Sequence, residues 1–268
     1  MKKVTVAVLL GFFLVSGCAK ETDSPFIGHM IDIKYPTTYH TMPNTVVDSL
    51  KKEYLRDKNS CFQSSVNAFG FCASPVQYDT NCISECRLFN KATARRMVME
   101  FLQKNKKFTG INDTSQVGVM SYYAFGKDYY CTSDSSRWKI TIGNQVMDSL
   151  EVQGTNIYLQ LNYTGVTEII GNWYPVINIP RMEAISYEMA KSSLSGKQFD
   201  FMCWTNIHTT ISQNTRWDEP LKRKLIYPLS KEDTIELHVV WVLKSGIFTF
   251  YVDVMTGELL ASFMNVIC

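Results

Sequence analysis

Cysteine and histidine are the residues of this chain best suited to covalent chemistry. Cys61 or Cys203 could act as a thiol nucleophile with His208 or His238 as the base, provided that the two side chains lie within hydrogen-bonding distance. The sequence does not show that proximity. His238 lies in a stretch of apolar residues, in the phase opposite to its two neighbours. We therefore expect His238 to face solvent or a partner, and a thiol hydrolase stays an alternative.

The motifs of metallopeptidases and serine hydrolases are absent from the sequence. The residues after the four histidines are Met, Thr, Thr and Val, so no H-E-x-x-H helix can place two imidazoles on zinc, and no G-x-S-x-G occurs. S-x-x-K at 49–52, S-x-N at 65–67 and K-S-G at 244–246 follow the order used by penicillin-recognising enzymes. Only twelve residues separate the first two motifs, which leaves no room for the helical domain expected there. We predict a non-catalytic chain without a cofactor, with a serine hydrolase as an alternative.

Cysteine spacing favours disulfides over a metal site. The chain has eight cysteines, and the spacing C-x10-C-x9-C-x3-C between residues 61 and 86 lacks the paired C-x2-C of structural zinc sites. In an oxidising envelope we expect disulfides, mainly within that cluster, and no metal. Their connectivity is left open among seven residues, so that at least one thiol is free or paired between chains: Cys61, Cys72, Cys82, Cys86, Cys131, Cys203 and Cys268.

The start of the chain has the pattern of an export signal. Lys2 and Lys3 precede an apolar stretch, residues 4–15, which is too short to span a bilayer. It runs into Leu-Val-Ser-Gly-Cys at 14–18, which resembles the lipobox of bacterial lipoproteins. The resemblance implies that residues 1–17 are a signal peptide and that Cys18 carries the lipid that anchors the protein to a membrane. Ala19, in place of the Asp of the enteric retention pattern, implies an outer-membrane lipoprotein on either the periplasmic or the surface face.

Charge and size limit the partners. Removal of residues 1–17 would take away two lysines, so that Lys and Arg fall from 27 to 25 and balance the 25 Asp and Glu. A neutral chain without a basic run has no electrostatic footprint for nucleic acid and no polybasic patch for an anionic membrane. The 46% of hydrophobic residues suffices for one large core or two small ones.

Residues 18–89 are predicted to be a linker and a Cys-rich, loop-rich extension. Four prolines interrupt this part, and the one helical stretch is Val46 to Leu55, with Asn44 or Thr45 as its cap.

From Asn90 onward, the order helix then antiparallel strands is predicted twice, which gives an α+β fold. Asn90 and Ser186 are placed to cap the two helices, with Phe89 and Ile185 as hydrophobic staples, and Gly196 ends the second helix. The predicted strands are Val117–Phe125, Arg137–Ile142, Ile157–Leu161 and Val166–Ile170 in the first half, and Leu221–Tyr227, Glu236–Leu243, Ile247–Val254 and Glu258–Phe263 in the second.

The last strands carry a resemblance to a known family. ISYEMA at 185–190 and the stretch 225–263, which contains YVDVMTGE at 251–258, resemble the opening and the close of a PepSY domain. IYLQLNYTGVTEIIGNWYPV at 157–176 is similar to the related module of fungalysin and thermolysin propeptides. The resemblance implies two modules, 90–180 and 181–268, each a helix packed on an antiparallel meander in the PepSY or cystatin manner. It also implies a protein or peptide partner, for example an exported peptidase that the chain modulates.

Turn residues and tryptophans complete the set of candidate site residues. Asp253 and Gly257 are predicted to build the turn after a strand, through a side-chain acceptor and a positive φ. Trp138 and Trp241 lie in predicted strands and should be core residues. Three tryptophans in predicted loops are the partner-binding candidates, together with His238, and an exposed platform of them would favour a carbohydrate-binding or adhesive protein: Trp173, Trp204 and Trp217.

Overall fold

A computed structural model describes residues 30–56, 58, 61–73, 87–118, 120–125, 137–202, 206–218 and 222–265. Within these ranges the chain has a mixed α+β fold, with few helices and mostly antiparallel sheets, as the sequence predicted. The helices there are α1 Asn44–Leu55, α2 Lys91–Lys104, α3 Lys106–Thr109 and α4 Tyr187–Leu194. The strands, numbered in chain order, are β1 Met30–Asp32, β2 Thr37–His40, β3 Ser65–Val66, β4 Cys72–Ala73, β5 Met120–Phe125, β6 Arg137–Ile142, β7 Val146–Met147, β8 Leu150–Glu151, β9 Ile157–Asn162, β10 Gly165–Ile170, β11 Gln198–Met202, β12 Asn206–Thr210, β13 Arg223–Ser230, β14 Thr234–Ser245, β15 Phe248–Asp253 and β16 Leu259–Met264.

The first large sheet has four antiparallel strands in the order β10-β9-β6-β5. Along β9, Ile157, Leu159 and Leu161 are buried and Tyr158 is exposed, as their alternation predicts. The buried side chains pack with those of α2, whose inner face carries Ala94 and other small and branched residues. Each buried branched side chain contributes about 1.5–3 kcal/mol through loss of apolar surface to water, which fixes α2 on this face.

The second large sheet is built around the long strand β14. On one edge, β14 pairs with β13 along most of its length. On the other edge, it pairs first with β2, through Thr234–Leu237, and then with β15, through Val240–Ser245. β16 follows β15 at the outside of the sheet. Helix α4 covers one face, where Tyr187, Ala190 and Leu194 pack with alternate residues of β14 and β15.

A tryptophan fixes each of these sheets to the start of a helix. Trp138 of β6 donates its Nε1–H to the carbonyl of Phe89, 3.1 Å away, directly before the Asn90 cap of α2. Trp241 of β14 donates to the carbonyl of Ile185, 2.8 Å away, directly before the cap of α4. Both caps form as predicted: the Asn90 side chain accepts from the N–H of Thr93, and Ser186 accepts from that of Met189. Because the indole N–H finds a carbonyl, each large ring can be buried without an unpaired donor.

The segment predicted as a loop-rich extension also supplies parts of both large sheets and cores. Strands β1 and β2 add to the second sheet, and the Tyr39 side chain is buried in its core. Helix α1 packs against the first sheet together with Phe62, Val66 and Cys72, whereas Phe71 lies in the core of the second sheet. These strands were missed because they are only three and four residues long and because Pro36 directly precedes β2. The cap of α1 is Pro43, without a side-chain bond, and not Asn44 or Thr45.

The larger predicted strands appear with bounds shifted by a few residues, and several short strands were not predicted. The missed pairs are the hairpins β3–β4, β7–β8 and β11–β12. Asn162, the last residue of β9, is buried although it alternates in phase with the exposed Tyr158. Its Oδ1 accepts hydrogen bonds from the N–H and the hydroxyl of Thr164, so this polar group is buried with partners.

No helix among the described residues is both long enough and apolar enough to cross a membrane. Residues 1–29, and with them the predicted signal peptide and Cys18, lie outside the described ranges.

Candidate functional site

His238 lies inside the second sheet and not on its surface. Its side chain is 9% exposed, and both ring nitrogens contact carboxylates. Nδ1 lies 2.7 Å from Oδ2 of Asp253 on the neighbouring strand, and Nε2 lies 3.1 Å from Oε2 of Glu236 on the same strand. The prediction that His238 faces solvent or a partner is therefore wrong. The alternation correctly placed His238 on the opposite face from Leu237 and Val239, but residues on both faces of β14 are buried.

Asp253 joins this histidine to the turn that ends β15. Its Oδ2 also accepts a hydrogen bond from the hydroxyl of Tyr35, 2.8 Å away. Its Oδ1 accepts hydrogen bonds from the backbone N–H groups of Met255 and Thr256. Gly257 has a φ of +73° and donates its N–H to the carbonyl of Asp253, 3.0 Å away. Asp253 and Gly257 thus have the turn-building geometry that the sequence predicted, and Asp253 in addition is fully buried.

The arrangement favours a charged histidine between two charged carboxylates. Burial alone would raise the pKa of Asp253, but the bonds from His238, the Thr256 N–H, Tyr35 and the Met255 N–H hold it at about 2. Burial likewise opposes a charge on His238, yet the two carboxylates raise its pKa above the usual value. A ring that donates from both nitrogens has no lone pair left, so His238 in this state cannot take a proton from a nucleophile.

The face of the second sheet opposite α4, here called the outer face, is apolar at its centre. It consists of Leu225, Val240, Val242 and Tyr251, with Tyr227 packed beside them. A groove of about 410 Å³ lies over this face, between the sheet and the residues around the β7–β8 hairpin. A salt bridge of 2.8 Å between Arg223 and Glu151 crosses from one to the other, and the groove reaches the sheet edge at β16.

Strand β16 forms one edge of the second sheet. It pairs with β15 on one side, and no other described strand pairs with it. Its sequence, Leu-Leu-Ala-Ser-Phe-Met, contains neither a charged residue nor a proline. Charges, prolines and bulges are the usual features that stop an edge strand from pairing with another chain. The pairing of β16 with β15 is irregular between Leu259 and Ala261 but regular from Ala261 to Met264, so this second part of β16 is suited to accept a partner strand. Its Phe263 is 37% exposed and lines the groove.

The tryptophans that were predicted to bind a partner do not form one exposed platform. Trp173 is 2% exposed, because it is part of the core of the first sheet, and its carbonyl lies where a Cβ on Gly110 would be. Trp217 is half-buried against Phe250, at a ring distance of 6.2 Å. Trp204 lies outside the described residues. The prediction is thus wrong for Trp173, since a residue in a loop can still fill the core beneath it.

The thiol of Cys72 is not activated for nucleophilic attack. This thiol is free and buried, and burial raises its pKa to about 12, the opposite of what a nucleophile needs. The pairing of the other cysteines stays a prediction, because most of them lie outside the described residues: Cys82, Cys86, Cys131, Cys203 and Cys268. His208 is exposed on β12 and pairs with Asp200, at 2.6 Å. Within the described ranges, no three metal-ligating side chains come together in a possible metal site.

Sequence reasoning missed the contribution of Tyr35 and Glu236 to the site. Glu236 precedes His238 by two residues on the same strand, a spacing that places both side chains on one face and could have indicated their contact. The structure shows that contact together with a bond of 2.6 Å from Lys231 to Glu236. No local pattern indicated Tyr35, because it reaches Asp253 across 218 residues of sequence.

Comparisons with known proteins show little. No protein-family model matches the chain, and no curated protein matches it. Among solved structures, the C-terminal domain of YpeB from Bacillus megaterium is similar at 9% sequence identity and a TM-score of 0.30, with 84% of this chain and 98% of that chain covered. A likeness of this size carries no argument about family or function.

Proposed function

We propose that this chain is a non-catalytic lipoprotein of the cell envelope that binds a protein or peptide partner by accepting one of its strands at β16. Cys18 would carry the lipid anchor, in the outer membrane, and an exported peptidase that the chain modulates is one candidate partner. The proposal joins the export signal of residues 1–18 with the properties of the second sheet.

The sequence resemblance to PepSY modules fits the way in which the two halves are built. In each half a capped helix precedes antiparallel strands, and a tryptophan donates to the carbonyl before the cap. In each half the next-to-last strand ends in a side chain that accepts from the backbone of the following turn. Asn162 accepts from one N–H group, and Asp253 accepts from two. We infer that the halves are two copies of one structural unit, consistent with the proposed modules 90–180 and 181–268.

The observation that carries the binding proposal is the uncharged edge strand β16 beside the groove. A partner strand at this edge would form backbone hydrogen bonds, which need no particular side chain. Every second side chain of the partner strand would lie on the outer face of the sheet, where the ring centres of Tyr251 and Phe263 are 5.1 Å apart. Apolar side chains at alternate positions would therefore be favoured in the partner.

A matched pair of proline variants tests this mechanism. Neighbouring residues of a strand direct their N–H groups to opposite edges, so one of Ala261→Pro and Ser262→Pro removes a bond to β15 and the other removes an outward donor. Tagged wild type and variants are incubated with envelope extract, and captured proteins are mapped by hydrogen exchange of the complex. We expect the outward variant to keep the unfolding midpoint of wild type and to lose a partner that protects residues 259–264. A partner that both variants retain, or that protects other residues, contradicts strand addition at β16.

A further inference from the structure

The face of the first sheet opposite α2 carries a row of side chains that crosses all four strands. Tyr123 of β5 lies opposite Lys139 of β6, Lys139 opposite Gln160 of β9, and Gln160 opposite Glu168 of β10. Tyr158 lies two residues before Gln160 on β9, so its side chain is on the same face, in the neighbouring row. This set of five residues is here called the tyrosine platform.

The two tyrosines of the platform are exposed although they are large. Tyr123 is 64% and Tyr158 is 42% exposed, and these are the exposed tyrosines among the described residues. They are separated by two strand spacings and two residues along the strand, a diagonal of about 12 Å. That distance is the span of a short oligosaccharide, so one chain of sugars could contact both rings.

Polar groups lie between the two rings. The ammonium of Lys139 lies 6.0 Å from the ring centre of Tyr158, and Gln160 donates to the Glu168 carboxylate. Glu168 is 7% exposed, and a depression of about 330 Å³ is lined by Lys139, Tyr158, Gln160, Glu168 and Ile170. A carboxylate accepts hydrogen bonds, while an ammonium and an amide donate them, so the depression can bond hydroxyl groups of either polarity.

We propose that the tyrosine platform is a carbohydrate-binding site that takes an uncharged oligosaccharide. The apolar C–H face of a sugar ring stacks on each tyrosine, and its hydroxyls bond Lys139, Gln160 and Glu168. Nucleic acid fits this face poorly, because the cation of the tyrosine platform, Lys139, lies on the same face as the carboxylate Glu168 and the net charge of the sequence is only +2. A peptide strand fits poorly too, because the contact here is with the face of the sheet, which offers no backbone donors or acceptors.

Titration calorimetry with the trimers of N-acetylglucosamine and of glucose as probes tests the site on the purified protein. We expect one of them to bind with a Kd of about 1 mM or lower. Tyr123→Ala and Tyr158→Ala should each weaken binding at least about tenfold, whereas Tyr158→Phe keeps the ring face and should change the Kd by less than about twofold. Met182→Ala, at a side chain that is 79% exposed elsewhere, is the matched surface control.

The inference is overturned if neither trimer binds at millimolar concentration, or if the double variant of Tyr123 and Tyr158 binds as wild type does. Circular dichroism and the unfolding midpoint of each variant separate loss of the site from loss of the fold. The result is independent of strand addition at β16, since that edge lies in the other sheet.

Discussion

In both large sheets, a side chain accepts hydrogen bonds from the backbone of the turn before the last strand, but the side chain is neutral in one sheet and charged in the other. In the first sheet, the neutral Asn162 accepts the N–H of Thr164, 2.8 Å away, and stabilises the turn between β9 and β10. In the second, the ionised Asp253 does this for the turn between β15 and β16, and it also bonds His238 and Tyr35. A buried carboxylate is costly unless it is paired. The second turn therefore depends on His238 of the neighbouring strand and on Tyr35, 218 positions away, whereas the first turn is local. The comparison predicts that the second sheet is the more sensitive to charge changes.

Substitution of the charged side chain should have the largest effect. Asp253→Asn keeps the shape but removes the charge that faces His238, and breaking a buried ion pair typically costs about 3–5 kcal/mol. Asn162→Ala is the comparison in the first sheet, and we expect it to cost less, because it removes the acceptor for the N–H and hydroxyl of Thr164 without leaving a buried charge unpaired. Urea unfolding of both variants measures the difference. An equal loss in the two variants would show that the pairing of Asp253 adds nothing to the turn.

Loss of either tryptophan anchor should have a smaller effect, and one of similar size in both halves. Trp138→Phe and Trp241→Phe keep an aromatic ring but leave the carbonyl of Phe89 or Ile185 without its donor. An unsatisfied buried carbonyl costs about 1–3 kcal/mol. Thermal unfolding compares the two variants, and a cost in one half alone would break the proposed equivalence of the two units.

Removal of the helix caps should cost still less. Asn90→Ala and Ser186→Ala each remove one acceptor for a backbone N–H at the start of α2 or α4, an effect of about 1 kcal/mol. The unfolding midpoint of each variant measures it, with Thr45→Ala as the control, since α1 has no side-chain cap bond. A loss in the control as large as in the two caps would refute this assignment.

The change of folding stability with pH should be the smallest of these effects. The folded pKa of His238 is raised, so its contribution to stability is complete below the usual value of about 6.5 and is lost as pH rises through the folded pKa. The contribution of Asp253 has the opposite sign and is lost only as pH falls toward its pKa of about 2. Urea midpoints of wild type and His238→Gln between pH 5 and 9 test this. A decline that persists unchanged in the variant would show that another group causes it.

The sequence predicted those parts of the fold whose signals are local. Asn90 and Ser186 were identified as caps from their neighbours, and β6 has the predicted bounds, because strand alternation and capping depend on a few adjacent residues. Strand β2 and the Tyr35 contact were missed, since both depend on partners about two hundred positions away. The prediction that His238 is exposed was wrong because alternation shows which face of a strand a residue is on, but not whether other residues cover that face.

Hydrogen exchange of the two edge strands, with and without a captured partner, tests the central claim most directly. Strand addition predicts slower exchange in Leu259–Met264 on binding and unchanged exchange in Met120–Phe125, one of the two edge strands of the first sheet among the described residues. Protection of Met120–Phe125 alone, or of neither strand in a stable complex, would contradict the proposal that β16 is the site of partner binding.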